Sequence, residues 1–179
     1  MRYFEKISGE RLFLSHMNPN DAELYTKWLN DRAVSEPLGN TYAKNLSLPF
    51  EREYIEKLAK EGHHYTIVLR NGERAIGNIS LMDVNHINAT ATLGIFIGGA
   101  EHRGCGYGTE AIRLLLGYGF NTLRLHNIQL HVNADNEQGI ACYKKAGFCE
   151  FGRRRQAEFH NGHVVDLVHM DILSGEFSA

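Results

Sequence analysis

No apolar run in these 179 residues approaches the roughly 18 to 20 needed to cross a bilayer, so no membrane span is expected. The opening Met1-Arg2-Tyr3-Phe4-Glu5-Lys6 lacks the apolar stretch of a secretory signal. An excess of one charge is missing too. Nineteen basic and 21 acidic side chains leave a net charge of −2, which gives no global electrostatic case for direct nucleic-acid or membrane binding. The three cysteines, Cys105, Cys142 and Cys149, are odd in number and lack C-x-x-C spacing, so neither a disulfide framework nor a zinc set is indicated. A reduced, cytoplasmic setting is the simplest expectation. Histidines are plentiful, yet His63-His64 and His160-x-x-His163 have no third ligand placed by spacing. No metal is therefore expected. Repeats and low-complexity tracts are absent, and the length suits one domain over residues 1–179.

What is present is a glycine-rich run, His102-Arg103-Gly104-Cys105-Gly106-Tyr107-Gly108-Thr109-Glu110. It follows a strand-like stretch, Thr92 to Gly98, and opens a helix-like one, Thr109 to Phe120. Such a turn exposes backbone N–H groups that have no intrahelical partner, and the helix dipole adds partial positive charge. A phosphate is the natural ligand there, and glycine lets it approach the backbone. No lysine lies in the run, so it is not a nucleotide-hydrolysing P-loop. A dinucleotide fingerprint is disfavoured because Thr109 stands at the third glycine position. The expected ribose-binding acid is also missing from Leu123-Arg124-Leu125-His126.

Strands and helices alternate without a linker. Arg11 to Leu14 reads as a strand, and Asn18-Pro19 as the cap of a helix bearing Ala22, Tyr25, Trp28 and Leu29. Residues 33 to 48 read as irregular. Glu51 to Lys60 reads as a helix with Tyr54, Ile55 and Leu58 as its apolar stripe. Asn71-Gly72 predicts a two-residue hairpin between Tyr65–Arg70 and Ala75–Asp83, and Asn161-Gly162 a second.

Residues 128 to 148 add a strand, an Asn-rich turn, a short helix carrying Tyr143 and a Gly-Phe ending. Together the two stretches resemble the GCN5-related N-acetyltransferase (GNAT) family. Arg103, Gly106 and Gly108 match its R/Q-x-x-G-x-G/A acyl-CoA pyrophosphate loop. Val132, Asn136, Tyr143 and Gly147-Phe148 match its V-x-x-x-N-x-x-A-x-x-x-Y-x-x-x-G-F region, with Gly139 where alanine is more usual. Arg11-Leu12-Phe13-Leu14, the Asp21-to-Trp28 helix and the Ala75-to-Ile79 strand resemble the RimJ/RimL and spermidine acetyltransferase branch. The likeness covers residues 10 to about 173.

The resemblance implies an α/β domain with a mixed, mostly antiparallel sheet flanked by helices. It implies transfer of acetyl from acetyl-CoA to a primary amine by direct attack in a ternary complex. The amine would be a protein N-terminus, as in ribosomal-protein acetylation, or a polyamine. Aminoglycoside acetylation is a rival within the class, and a non-catalytic acetyl-CoA sensor is a rival outside it. Leu93, Ile95, Phe96 and Ile97 would lie along the pantetheine arm, in a slot where that strand splays from Ile128–Val132. A backbone N–H near Phe96 or Ile97 would polarise the carbonyl. The amides of Arg103, Gly104, Cys105, Gly106, Tyr107, Gly108 and Thr109 would hold the pyrophosphate. Cys105 stands where the family often has a basic or polar residue. Asn133 and Asn136 would meet the pantetheine amides, with Asn136 also suited to cap the next helix. Tyr143, a phenol with an ordinary pKa near 10, would protonate the departing thiolate.

The general base is left open among His102, His131, Glu101, Asp83 and a water chain. His131 should share a strand face with Asn133. The cluster Arg153-Arg154-Arg155 reads either as a solvated strand edge or as a contact for the CoA 3′-phosphate or an acidic partner. A homodimer is compatible with the sequence.

Overall fold

The chain builds one eight-stranded sheet in the order β1-β2-β3-β4-β5-β6-β8-β7. The computed structural model describes residues 2–44, 46–160 and 162–178. The strands are β1 (Glu5–Ser8), β2 (Leu12–His16), β3 (His63–Leu69), β4 (Arg74–Asn85), β5 (Thr90–Ile97), β6 (Asn127–Asn133), β7 (Cys149–His160) and β8 (His163–Leu173). Every neighbouring pair is antiparallel except β5 and β6, which run parallel. The helices are α1 (Ala22–Asn30), α2 (Arg32–Ser35), α3 (Leu48–Leu58), α4 (Tyr107–Asn121) and α5 (Glu137–Ala146). None among the described residues is long and apolar enough to cross a membrane.

Strand alternation supplies both faces of the sheet. Leu12 and Leu14 enter one core with Ile67, Ile79, Ile112, Leu115 and Leu116, whereas Phe13 and Val68 enter the other with Tyr25, Trp28 and Ile55. Helix α4 therefore closes one face, and α1 with α3 the other. Local chemistry starts the helices. Asn18 accepts from Asn20 N–H at 3.0 Å ahead of the Pro19–Asp21 turn that leads into α1. Ser47 caps α3.

Three expectations need correction, and one strand is new. Residues 33–48 are more ordered than expected: α2 and a 3-10 segment, Glu36–Ala43, fill much of them. In α3 only Ile55 of the anticipated stripe is buried. Tyr54 faces solvent and stacks on Phe50 at 6.2 Å between centroids. The Asn71-Gly72 connection is four residues long, since β3 ends at Leu69 and β4 begins at Arg74. Gly72 and Glu73 both take positive φ there, of 82° and 42°. Strand β1 was not anticipated, because four residues with two charges carry little pattern. Strands β7 and β8 do pair across the other turn, although Asn161 lies outside the described residues.

Candidate active site

The parallel pair β5–β6 holds register over only three positions, Thr90↔Asn127, Ala91↔Ile128 and Thr92↔Gln129. Beyond Thr92, strand β5 stays paired with β4 through Ile97, and β6 stays paired with β8 through Asn133. The two strands part between them. The resulting cleft has a volume of about 1400 Å³ and is bordered by Leu93 to Ile97 on one side and by His131, Val132 and Asn133 on the other.

Backbone polarity along β5 follows from one bond. Gly98 N–H donates to Ile76 O at 2.9 Å. Antiparallel pairing alternates, so the N–H groups of Phe96 and Gly94 point to β4. Those of Leu93, Ile95 and Ile97 point the other way: Leu93 closes the last ladder position with β6, and Ile95 and Ile97 face the cleft. Of the two candidate donors, the Ile97 amide is the one that faces the open space.

The loop after β5 is braced by its own arginine. Arg103 Nε donates to Ile97 O at 3.1 Å and Nη2 to Gly98 O at 2.7 Å. Its guanidinium thus ties the loop to the strand end. Gly104 and Gly106 have φ of 73° and 81°, a left-handed backbone that favours glycine. Gly106 caps α4 without a side chain, which leaves the first-turn amides of α4 open toward the cleft. The Cys105 thiol turns back to Glu101 O and Arg103 O. Its carbonyl accepts from Arg11 Nη1 at 3.0 Å.

Helix α5 forms the far wall. Asn136 Oδ1 accepts from Gly139 N–H at 2.9 Å, so the residue does cap the helix. A Cβ at Gly139 would stand 2.7 Å from Asn136 Nδ2, so alanine there would require the capping side chain to shift. Asn133 is buried at the end of β6 and borders the cleft with Asn136. Tyr143 packs edge-on against Phe148 at 6.1 Å and lines the cleft. Its hydroxyl forms no hydrogen bond to a described residue and retains solvent access. Burial, with a smaller contribution from Cys142, pushes its pKa well above the ordinary phenol value. Cys142 sits 3.3 Å from Thr109 Oγ1, joining α5 to the first turn of α4.

The open candidates for a base separate clearly. His131 and His102 border the cleft, whereas Glu101 and Asp83 do not. His102 lies 3.5 Å from Glu101 and edge-on to Tyr107. Sequence reasoning passed over Glu158, a half-buried carboxylate that lines the cleft beside Leu167. It forms no hydrogen bond or ion pair with a described residue. It lies where β7 slips register between Arg154 and Glu158, which no sequence pattern announces. Arg153 pairs with Glu150 at 2.6 Å on the exposed sheet edge. Among the described residues no three His, Cys, Asp or Glu side chains are grouped to hold a metal ion.

The acetyltransferase (GNAT) domain profile matches residues 11–149. Spermidine N(1)-acetyltransferase of Vibrio cholerae serotype O1 is 28% identical over 170 residues, covering 94% of this chain and 90% of the relative. YdaF of Bacillus subtilis, which carries the provisional name of a ribosomal N-acetyltransferase, is 28% identical over 180 residues and is covered, like this chain, to 94%. The crystal structure of the Vibrio cholerae spermidine N-acetyltransferase in complex with CoA and spermine superposes with a TM-score of 0.81. It is 26% identical, covering 94% of this chain and 98% of that one. With this profile match, the splayed β5–β6 cleft and the Arg103–Thr109 loop, the chain belongs to the GNAT family of acetyl-CoA-dependent N-acetyltransferases.

Proposed function

We propose that residues 1–179 work as one cytoplasmic N-acetyltransferase domain, acting on a cationic primary amine of the polyamine class by direct transfer in a ternary complex. The observation that carries the acceptor assignment is the half-buried, unpartnered Glu158 carboxylate on the cleft wall. A half-buried carboxylate with no partner among the described residues attracts an ammonium and disfavours neutral or anionic acceptors. Protein N-termini are the second reading, favoured by the likeness to YdaF.

The chain's residues fit the donor. Gly104 and Gly106 leave the loop backbone bare of Cβ atoms, and the first-turn amides of α4 are free to receive a pyrophosphate. The N–H and C=O of Ile95, the C=O of Leu93 and the N–H of Ile97 face outward, groups along which an extended arm can pair. Asn133 and Asn136 border the same path. When bound, acetyl-CoA supplies an activated acetyl thioester. The Ile97 N–H polarises the acetyl carbonyl as negative charge develops on its oxygen. The Tyr143 hydroxyl donates its proton to the departing sulfur; the phenol is protonated at neutral pH, and the burial that raises its pKa makes it a weaker acid than a free tyrosine. Glu158 holds the acceptor nitrogen and takes up its proton, directly or through water.

The test is CoA release from acetyl-CoA across polyamines, ribosomal N-terminal peptides and aminoglycosides, with acetyl-CoA binding measured in parallel. Polyamine-dependent release is expected, with Glu158→Gln raising KM for the amine by about tenfold or more. Release with peptides alone selects the second reading. Tight binding without release from any amine points to a sensor, and no binding refutes the donor site.

A further inference from the structure

The loop that receives the pyrophosphate has no free cation of its own. Its one basic side chain, Arg103, is turned back to the carbonyls of Ile97 and Gly98. An acid, Glu110, sits in the first turn of α4, where an unmatched carboxylate would repel a phosphate held at the same helix end. Arg11, from the turn between β1 and β2, answers both. Its Nε donates to Glu110 Oε2 at 2.7 Å, and its backbone N–H donates to Oε1 at 2.9 Å. Nη1 donates to Cys105 O at 3.0 Å, and the guanidinium lies 4.8 Å from the Tyr107 ring centroid. Nη2 forms no hydrogen bond to a described residue and stands 3.3 Å from the point a Cβ on Gly106 would occupy. Arg113 and Lys145 also border the cleft, but neither bonds to the loop.

We propose that Arg11 is the cation of the phosphate-binding loop. It turns the Cys105 carbonyl away from the ligand, masks Glu110 and presents Nη2 to the CoA pyrophosphate. This rests on the donor site proposed above and names a residue 94 positions from the loop it serves. A planar guanidinium is required, because three directions are used at once: Glu110, Cys105 O and the phosphate. Glu110 is then a positioning partner, tolerable beside a phosphate only while Arg11 covers it.

The experiment compares wild type, Arg11→Gln and Arg11→Gln/Glu110→Gln with two donors, acetyl-CoA and the phosphate-free S-acetylpantetheine. The assays are steady-state kinetics and calorimetric titration with acetyl-CoA, and folding is checked by thermal melting. Arg11→Gln should raise Kd and KM for acetyl-CoA by about tenfold or more, the loss expected for a charge-assisted contact, with kcat at saturation retained. Its kcat/KM for S-acetylpantetheine should fall by at least about threefold less than that for acetyl-CoA, because the shorter donor offers Arg11 no phosphate. Adding Glu110→Gln should recover at least about threefold of the lost affinity, since it removes the unmasked charge. The inference is overturned if acetyl-CoA affinity is unchanged in Arg11→Gln, if both donors lose equally, or if the second substitution recovers nothing. Failure of wild type to bind acetyl-CoA overturns the donor site itself. Wild-type binding with an unaffected Arg11→Gln overturns only the Arg11 assignment.

Discussion

Replacing Tyr143 by phenylalanine separates catalysis from folding at this site, because the hydroxyl holds nothing together. It has no hydrogen-bond partner among the described residues, while the ring packs on Phe148. Removing an unpartnered hydroxyl and keeping the ring should change stability by less than about 1 kcal/mol. A general acid typically contributes about 10²–10⁴-fold to the rate, equivalent to about 2.7–5.5 kcal/mol of barrier. Tyr143→Phe should therefore lower kcat by about 10²-fold or more, with acetyl-CoA Kd within about twofold of wild type. The raised pKa adds a second readout. The phenol remains protonated past its ordinary value near 10, so any fall in the wild-type rate below about pH 10 belongs to another group and should persist in the variant. The assay is CoA release under saturating amine and donor, with binding by calorimetry and melting by circular dichroism. A kcat within about threefold of wild type, or a Kd that rises in step with the loss of rate, refutes the acid role.

Two predictions concern the scaffold. A Cβ on Gly98 would stand 2.1 Å from the Trp28 indole, so Gly98→Ala should cost about 1–3 kcal/mol by overpacking and lower Tm by about 2–4 °C per kcal/mol. Gly152→Ala, which meets open space, is the control, and equal melting of the two variants refutes the clash. Glu51 is buried on α3 with its pKa raised by burial. A raised folded-state value means its contribution to stability is present below the unfolded carboxylate range and is lost as pH rises through the folded value. At pH 7 the buried charge is a cost, so Glu51→Gln should melt higher than wild type, by an amount that shrinks toward pH 4. A gain that grows on acidification refutes the sign.

What the chain determines by itself is whatever depends on a few neighbouring residues. The Arg103–Gly108 loop was legible because only glycine readily takes the left-handed turns at positions 104 and 106. Asn136 was legible as a cap because its carbonyl oxygen reaches an amide three residues on. Tyr143 was singled out by the resemblance to the family motif, and it lies on the short helix expected there. Alternating strands, helices and turn residues were legible along the chain, and the mostly antiparallel sheet followed from the resemblance to the family. In the α3 stripe Ile55 and Leu58 do pack on the core, but Tyr54 was misjudged, since a local pattern does not say where the core lies. Tertiary structure alone decided the rest. The cleft exists because a parallel pair ends after three positions while each strand keeps its other neighbour. Pairing between β5 and β6 is non-local, and nothing in either strand marks where it stops. Arg11 meets Glu110 across 99 residues, and Glu158 enters the cleft through a register slip in β7. Distances between charges on distant segments are set only by the fold, which is why the glycine-rich loop was readable in one dimension and the placement of Arg11 and Glu158 was not.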